Sequence, residues 1–360
     1  MSATALRVSP IATSAERAAW DELAASSPVG HRHQCLWWME PLERYGVRSR
    51  ALGCWKGNQL VGGALFRSYP IPFTGASIIE CLDGPIFLAW EDGWADEFLA
   101  GLIDFSRTAR SMAVVIRDCR DENVHRGVVA ALRRRGLAVG LSPGPTDAVL
   151  QLKDRTMDQI RAGFSHGTRG RIKKGQKGIS IRRLTGTQDL AQAYEAWIAT
   201  ARRKGFTDVR PWLGLEAVLR HCIDQDRGMV LASFVDERLL AAAFVTHIGT
   251  TASWVYGGYM DGAEKQNPTH VLQDEAIKES LARGMVEYNF GYLLAEYQPS
   301  ARGVDEFKLG FGAEPSRHLE TITWKRRPLL YSAVQGLRGG PVGRLLETVF
   351  KKRLIQRGEA

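Results

Sequence analysis

Cysteine is scarce in this chain, and its placement argues against two kinds of site. Five cysteines stand among 360 residues. Their number is odd and no two form a Cys-x-x-Cys pair, so neither a disulfide framework nor a thiolate zinc site is indicated. The stretch HRHQC, with His31, His33 and Cys35, does resemble a set of metal ligands. Because the sequence shows no second half of such a site, we predict that the protein holds no metal.

Long hydrophobic runs are also missing. No apolar stretch reaches the roughly 18 residues that a membrane-spanning helix requires. The first residues, MSATALRVSP, lack the apolar core of a signal peptide. The apolar share of 44% and the charged share of 24% are those of an ordinary globular protein. We therefore expect a cytoplasmic protein that contacts, at most, the inner face of the membrane.

Acidic residues are missing or few in two segments of the chain. Residues 161–183 contain eight lysines or arginines and no acid, and residues 325–360 contain nine basic and two acidic residues. Since the whole chain carries a formal net charge of +9, the remaining residues are net acidic. Local basic segments on an acidic body are typical of a protein with one surface that meets a polyanion.

An internal repeat organises the chain. The stretches CWKGNQLVGGALF (54–66) and SFVDERLLAAAFV (233–245) align without a gap. Each reads as two apolar strands around a polar turn, which is the pattern of a β-hairpin. In both halves a strand, a helix and a strand follow, so we predict an α/β protein of two tandem domains with mixed central sheets. The stretch GLSPGPTD predicts the boundary, giving domains 1–147 and 148–325 and a basic C-terminal segment, 326–360.

The segment FKLGFG sets one lysine among two phenylalanines and two glycines. Read with the period of two of a β-strand, Phe307, Leu309 and Phe311 point to one face. Lys308 and Gly310 then point to the other face, where a single cation stands on a backbone with few side chains. We predict a strand whose open face receives a substrate. The alternative is a solvated lysine beside a β-bulge.

Four stretches together resemble the FemAB-like family of transferases. They are residues 159–183, 201–206, 282–294 and 305–315, and their most specific parts are the basic helix and the FKLGFG segment. The resemblance extends over most of both predicted domains and implies two tandem acyltransferase domains of the GNAT type. It also implies that an aminoacyl group passes from aminoacyl-tRNA to an amine, with the donor as co-substrate and no resident cofactor.

The resemblance also implies roles for individual residues. Lys308 is expected to polarise the ester carbonyl or to stabilise the oxyanion that forms when an amine attacks it. Arg203 is expected to contact a phosphate of the acceptor, although Arg202 competes for this role. Further substrate contacts are expected from Phe307, Gly310 and Tyr256. Independently of the resemblance, Lys265, Asn267 and Thr269 stand at a predicted helix N-terminus, where they are expected to hold a phosphate of the substrate. The basic helix either is a solvated face or holds tRNA phosphates. Its candidate residues are Arg169, Arg171, Lys173, Lys174 and Lys177.

Two departures from the family pattern and the lack of an evident general base leave the chemistry open. The loop DGAEKQNPT, before the helix predicted at residue 268, lacks the glycine pair that cradles the pyrophosphate of acetyl-CoA. Leu42 stands where cell-wall members tend to have a lysine, which puts a UDP-linked muropeptide acceptor in doubt. No general base is evident, because His166, His270 and Asp274 follow no Ser-His-Asp or Cys-His order.

Three functions therefore remain as alternatives. The first is aminoacyl transfer to an amine of an envelope precursor or small molecule. The second is acyl-CoA-dependent N-acylation in exopolysaccharide or envelope synthesis, and the third is a non-catalytic fold that binds nucleic acid or a membrane. The C-terminal segment fits a membrane-surface helix or, as we favour, a helix packed on the first domain. We expect a monomer, because two duplicated halves can cover each other's sheet edges.

Overall fold

The structure is a computed structural model that describes residues 6–71, 74–91, 93–205 and 210–338. The chain divides into two compact units. The first comprises the residues up to Gly144 and those from His318 onward, and the second runs from Pro145 to Arg317. Most of the basic C-terminal segment, from residue 339 onward, lies outside the described residues.

The first unit begins with a strand and a helix and continues through a long hairpin. Its elements in chain order are β1 (Leu6–Pro10), α1 (Ser14–Ser26), α2 (Leu36–Met39), β2 (Arg48–Lys56), β3 (Gln59–Ile71), β4 (Ala76–Leu82), β5 (Ile86–Phe87), α3 (Trp94–Thr108), β6 (Ser111–Arg117), α4 (Glu122–Arg134) and β7 (Val139–Ser142).

The second unit repeats the order of hairpin, strand, helix and strand. Its elements are β8 (Thr146–Gln151), α5 (Met157–Ala162), α6 (His166–Gly175), β9 (Ser180–Leu184), α7 (Thr187–Lys204), α8 (Trp212–Asp224), β10 (Gly228–Val235), β11 (Arg238–Ile248), β12 (Thr251–Tyr259), α9 (Pro268–Ala282), β13 (Glu287–Tyr292), α10 (Arg302–Leu309) and β14 (Glu314–Arg317). The chain then returns to the first unit with β15 (Thr321–Lys325) and α11 (Pro328–Arg338).

Each unit is built on one mixed sheet. The first has the strand order β1-β2-β3-β4-β6-β15-β7, with β5 paired to β3, and the second has the order β14-β8-β13-β12-β11-β10-β9. In each sheet one pair of strands is parallel, β4 with β6 and β12 with β13, and a helix, α3 or α9, connects the pair. Both predicted hairpins are present, as β2–β3 and β10–β11. The predicted fold class, two tandem α/β units with mixed sheets, is confirmed.

Helix α9 shows how the sequence sets one of these elements. It begins at Pro268, whose fixed φ suits the first turn of a helix, and Gly284 follows its end at a φ of 75°. Leu272, Ala276 and Ile277 form its apolar stripe and are buried in the core of the second unit. The helix therefore lies against the sheet with its first turn near the carboxyl end of β12.

The predicted strand in FKLGFG is wrong, because the segment contains the end of a helix and the turn that follows it. Phe307, Lys308 and Leu309 form the last turn of α10, Gly310 caps the helix, and Phe311 and Gly312 lie in the turn that follows. The ring centroids of Phe307 and Phe311 lie 5.2 Å apart. Phe311 is fully buried, and its ring lies 5.2 Å from that of Phe164. Gly312 lies in this turn at a φ of 71°, a conformation that favours glycine. The N–H groups of Gly310, Phe311 and Gly312 bond to carbonyls three or four residues earlier, so the strand period of 2 does not apply here.

The end of the chain also differs from the predicted division. Strand β15, which the sequence placed at the end of the second domain, pairs with β6 and β7 in the first sheet. Ile322 and Trp324 on β15 belong to the apolar core of the first unit. In the following helix, Leu330, Tyr331 and Val334 pack on a second small apolar cluster of that unit. No helix within the described ranges is both long and apolar enough to cross a bilayer.

Candidate active site

The sheet of the second unit splits between β12 and β13. These parallel strands pair over three residues only, 251–253 with 287–289. Beyond this point β12 continues to Tyr259 and β13 to Tyr292 without pairing to each other. The sheet therefore opens toward the carboxyl ends of the two strands, which is the end where open α/β sheets bind ligands.

Aromatic rings gather beside this split. The ring of Trp254 lies 6.0 Å from that of Phe290 and 5.8 Å from that of Phe307. The ring of His270 lies 4.9 Å from that of Phe307. Phe307, a predicted substrate contact, thus belongs to an apolar wall formed by β12, β13, α9 and α10. Such a wall lowers the local dielectric constant and strengthens electrostatic interactions next to it.

Lys308 is buried at the end of β13. Only 6% of its surface is exposed, and its Nζ donates a hydrogen bond to the carbonyl oxygen of Tyr292. Burial lowers the pKa of Lys308, while the carboxylates of Asp305 and Asp147 oppose that shift. Within the described chain, the carbonyl of Tyr292 is the one hydrogen-bond partner of this ammonium group. Two N–H groups are left for a ligand.

A polar cluster holds this end of the strand. The carboxylate of Asp305 accepts hydrogen bonds from two backbone N–H groups of the loop after β13, at 3.1 and 2.6 Å. Asn289 donates from Nδ2 to Asp147 at 2.6 Å and accepts from the N–H of Gly291 at 2.6 Å. These contacts fix the carbonyl group that in turn positions Lys308.

The glycines of FKLGFG allow close packing between segments of the chain. The prediction that they leave an open strand face for a substrate is therefore wrong. A Cβ on Gly310 would lie 2.6 Å from Oγ1 of Thr168, and one on Gly312 would lie 2.8 Å from the carbonyl oxygen of Gly163. The backbone carbonyl of Gly310 also accepts a hydrogen bond from the N–H of Ser165. The glycines therefore let the end of α10 approach α5 and α6 closely. A substrate contact by Gly310 stays a prediction.

His270 lies in the first turn of α9, and the sequence assigned no role to it. Its Nδ1 is buried and has no hydrogen-bond partner in the part of the chain that the structure describes. Burial, and to a smaller extent the charge of Arg171, lowers the pKa of His270 to about 4. The imidazole is therefore neutral at pH 7 and offers an unused hydrogen-bonding nitrogen beside Phe307.

Other predicted substrate contacts lie around the start of α9. Asn267 adopts the left-handed conformation just before the helix, and no side chain caps the first turn. An uncapped helix start carries partial positive charge and suits an anionic group. Lys265 is exposed and has no ion-pair partner among the described residues, and Thr269 follows on the helix itself. Tyr256 on β12 stacks on the ring of Trp197, with centroids 5.5 Å apart.

The predicted basic helix is α6, and it runs beside this site. Its buried side is formed by Thr168, Ile172 and Gly175. A Cβ on Gly175 would lie 2.5 Å from the side chain of Val271 and 3.0 Å from the backbone carbonyl of Gln266. The helix therefore packs closely against the start of α9, which brings its basic residues next to the split.

Four of the five predicted cations of this segment are available to a ligand. Arg171, Lys173, Lys174 and Lys177 are exposed and have no hydrogen-bond or ion-pair partner in the described ranges. Arg169 is different, because its guanidinium donates to the carbonyl oxygens of Ala162 and Phe164. It closes the turn before α6, and its predicted phosphate contact would compete with these bonds.

Arg203 is engaged within the protein. Its guanidinium pairs with Asp261 and donates to Oγ1 of Thr200 at 2.8 Å and to the carbonyl oxygen of Tyr259 at 2.6 Å. It therefore fastens the end of β12 and the loop that follows. Arg202 is exposed without a partner among the described residues, so it is the freer of the two predicted phosphate contacts.

The histidines that resemble metal ligands form a cluster in the first unit. Candidate ligand atoms of His31, His33 and Asp83 lie within 4.8 Å of one another. The Nδ1 atoms of the two imidazoles lie 2.9 and 2.8 Å from the same carboxylate oxygen of Asp83. Arg32 donates to Nε2 of His31, which requires the proton of that neutral imidazole to sit on Nδ1 and to face Asp83.

This donor set suits a hydrogen-bond network better than a metal ion. Burial lowers the pKa of His33 to about 4 and that of His31 well below its ordinary value, so both rings are neutral donors to Asp83. A metal ion would have to displace both Nδ1 protons. The guanidinium of Arg120 also lies 3.6 Å from Asp83 and already offsets the carboxylate charge. The prediction that no metal binds here stays a prediction.

Comparison with known proteins agrees with the tandem fold. Residues 163–318 match the family model of an acetyltransferase (GNAT) domain. The structure of FemX is similar with a TM-score of 0.76 and 14% identity, over 91% of this chain and 99% of FemX. No curated protein matches the sequence.

Two further solved structures are similar over nearly their whole length. One is the C-terminal domain of a proposed lysylphosphatidylglycerol synthetase from Agrobacterium fabrum, with a TM-score of 0.56 and 11% identity over 90% of this chain and 95% of that domain. The other is L-PGS from Bacillus licheniformis, with a TM-score of 0.54 and 14% identity over 92% of this chain and 98% of that one. The chain thus has the FemAB-like fold, two GNAT acyltransferase-type domains in tandem, and its second unit carries the matched GNAT domain together with the split sheet.

Proposed function

We propose that this protein transfers an aminoacyl group from aminoacyl-tRNA to the amine of an envelope precursor or a small molecule. The observation that carries the proposal is the placement of Lys308, a buried ammonium with two unused N–H groups at the split of the second sheet. The similarity to FemX and to a proposed lysylphosphatidylglycerol synthetase, whose name states an aminoacylated product, supports the same reaction class.

The reaction needs positive charge where the carbonyl oxygen becomes an oxyanion. The acceptor nitrogen forms a bond to the ester carbon, the carbon–oxygen bond to the tRNA ribose breaks, and the amine loses a proton. A donor fixed beside the oxyanion typically contributes about 3 to 4 kcal/mol. Lys308 is suited to this role because the carbonyl group of Tyr292 holds its ammonium group in place. The apolar side chains nearby also reduce the screening of its charge by water.

The proton of the acceptor amine needs a route away from the site. The unpaired ring nitrogen of His270 lies on the same apolar wall as Phe307, the neighbour of Lys308 in the chain. With a pKa of about 4 this imidazole is a weak base, so it orients the amine or a ribose hydroxyl by accepting a hydrogen bond. The proton leaves with the ribose oxygen of the tRNA.

The donor is held by phosphate contacts in this scheme. Arg171, Lys173, Lys174 and Lys177 present four unpaired cations beside the split, and such contacts supply affinity that depends little on sequence. The test is binding of the full chain to charged and uncharged bulk tRNA across a salt series. We expect saturable binding that prefers charged tRNA and weakens steeply with salt. Absence of binding at low salt would remove tRNA as the donor.

Acyl-CoA-dependent N-acylation is the second candidate, and two observations favour it. Residues 163–318 match an acetyltransferase domain, and the uncapped start of α9, with Lys265 nearby, suits a pyrophosphate. The missing glycine pair in the preceding loop speaks against it. A thermal shift series with CoA thioesters separates the two: strong, saturable stabilisation at micromolar ligand would favour acyl-CoA as donor. Binding of tRNA without turnover of either donor would favour the non-catalytic alternative.

A further inference from the structure

A groove opens on the first unit, between the sheet and the C-terminal end of α3. Its volume is about 1030 Å³. Its floor is apolar and includes Leu52, Phe66, Ile79 and Phe105, which are recessed below the surface with between 0 and 9% of their area exposed. This volume lies at the upper end of the range for sites that hold a ligand-sized molecule.

The groove is distinct from the position that corresponds to the split of the second unit. That position would lie at the carboxyl ends of the parallel strands β4 and β6. The groove instead includes Ala76 and Ser77, which begin β4, and Arg110, which stands just before β6. It therefore lies at the opposite end of the first sheet, away from any duplicate of the candidate active site.

Arginines enter the groove because of the strand register. Arg50 lies opposite Phe66 and Arg48 lies opposite Ser68 in the antiparallel pair of β2 and β3. Directly opposed residues of such a pair share one face of the sheet. Arg48 and Arg50 therefore extend from the face that forms the apolar floor, and two like charges stand two residues apart on one strand.

Among the described residues, nothing compensates the positive charge of the groove. Arg48, Arg50 and Arg110 line it, are exposed, and have no hydrogen-bond or ion-pair partner within the described part of the chain. The one carboxylate among its lining residues, Asp104, pairs with Arg107 at 2.9 Å. An anion at the three arginines would relieve their mutual repulsion and gain charge-assisted hydrogen bonds.

We propose that this groove binds one molecule of a single-chain anionic amphiphile, with the alkyl chain on the apolar floor and the anionic head at Arg48, Arg50 and Arg110. The shape favours one enclosed molecule over a bilayer surface. Insertion into a bilayer needs apolar side chains that project from the protein, whereas the floor of this groove is recessed. The site takes no part in aminoacyl transfer and stands independently of that proposal.

Isothermal titration of the full chain with dodecyl phosphate, below its micelle concentration, tests the proposal. We expect one molecule to bind per chain, and we expect the double variant Arg48→Ala/Arg50→Ala to weaken binding about tenfold or more. Ser68→Trp fills the groove without changing its charge and should weaken binding as well. Arg126→Ala, which removes an exposed arginine of α4 outside the groove, should bind like the parent. Circular dichroism checks that each variant is folded.

Control ligands separate the contributions of the anionic head, the alkyl chain and a membrane surface to binding. Inorganic phosphate lacks the chain and dodecyl maltoside lacks the charge, so each should bind much more weakly than dodecyl phosphate. Equal binding of either one would overturn the proposal, as would absence of dodecyl phosphate binding. The proposal would also be overturned by unchanged affinity in the folded groove variants or by an equal loss of affinity in Arg126→Ala. Binding only to vesicles of anionic phospholipid would overturn it as well.

Discussion

Gly170 provides a test in which protein stability and tRNA binding should move in opposite directions. It lies on the outward face of α6, with Lys173 and Lys174 three and four residues further along the helix. A Cβ placed on Gly170 meets no atom within 4 Å. Glycine inside a helix costs about 0.5 to 1 kcal/mol relative to alanine, so packing within the protein gives no reason for it here.

The Gly170→Ala variant should therefore be more stable by about 0.5 to 1 kcal/mol. For a domain of this size, that gain raises the melting temperature by a few degrees, on the order of 2 to 4 °C per kcal/mol. If tRNA phosphates lie against this face, the added methyl group occupies their place of closest approach. The variant should then bind charged tRNA several-fold more weakly at the same salt concentration.

The measurement combines thermal unfolding without tRNA and a binding titration with charged tRNA. Gly303→Ala is the matched control, because Gly303 lies in α10 and its added Cβ would also meet no atom within 4 Å. That control should gain some stability and keep its affinity for tRNA. A stabilised Gly170→Ala variant with unchanged tRNA affinity would refute the close approach to α6, and a destabilised one would refute the account of the helix.

Three further predictions concern packing, charge and pH. Phe311→Ala removes a fully buried ring that contacts Phe164 between α5 and α6, His270 on α9 and Phe290 on β13. Urea denaturation should show a loss of about 3 to 5 kcal/mol, and a loss below about 1 kcal/mol would contradict the packing described. Lys173→Ala/Lys174→Ala should reduce the slope of log affinity for tRNA against log salt by about 1.4 to 1.8, whereas Lys278→Ala, a lysine paired with Glu275, should leave the slope unchanged. Burial lowers the pKa of His247 to about 3, from about 6.5 in the unfolded chain. As the pH falls, the unfolded chain therefore protonates at this residue before the folded chain does. The free energy of unfolding should fall between these two pH values, by at most about 1.4 kcal/mol per pH unit. Urea denaturation from pH 7 to pH 4 should show a shallower fall for His247→Gln, and an equal fall would assign the acid sensitivity to other groups.

Local patterns in the sequence were sufficient for the repeat and for helix α9. Polar turns between apolar strands marked both hairpins, and Pro268 and Gly284 marked the limits of the helix. FKLGFG was ambiguous, because alternate apolar residues fit a strand while Phe307 and Phe311 fit one face of a helix. The structure ends α10 at Leu309 and buries Phe311, in the turn that follows, against Phe164. This contact joins distant segments of the chain and could not be read from the local pattern.

The parts of the site that the sequence did not reveal depend on contacts between distant segments. The split appears where β12 and β13 stop pairing. The partner of Lys308 is a backbone carbonyl group, which every residue has, so the sequence cannot identify it. Likewise, the pairing of Arg203 with Asp261 leaves Arg202 as the freer cation. The sequence named His270 without a role, because its significance comes from burial among aromatic rings.

The most direct test of the central claim is a single-turnover transfer assay. Labelled aminoacyl-tRNA is mixed with an excess of parent protein, Lys308→Met or Lys278→Met and a panel of amine acceptors, and the label that reaches an acceptor is measured. Methionine keeps most of the volume of Lys308 and removes its charge, while Lys278→Met makes the same change on the surface of α9. We expect transfer by the parent and by Lys278→Met, and a loss of about 100-fold or more in a folded Lys308→Met that still binds tRNA. Transfer by Lys308→Met at close to the parent rate would show that Lys308 does not stabilise the oxyanion.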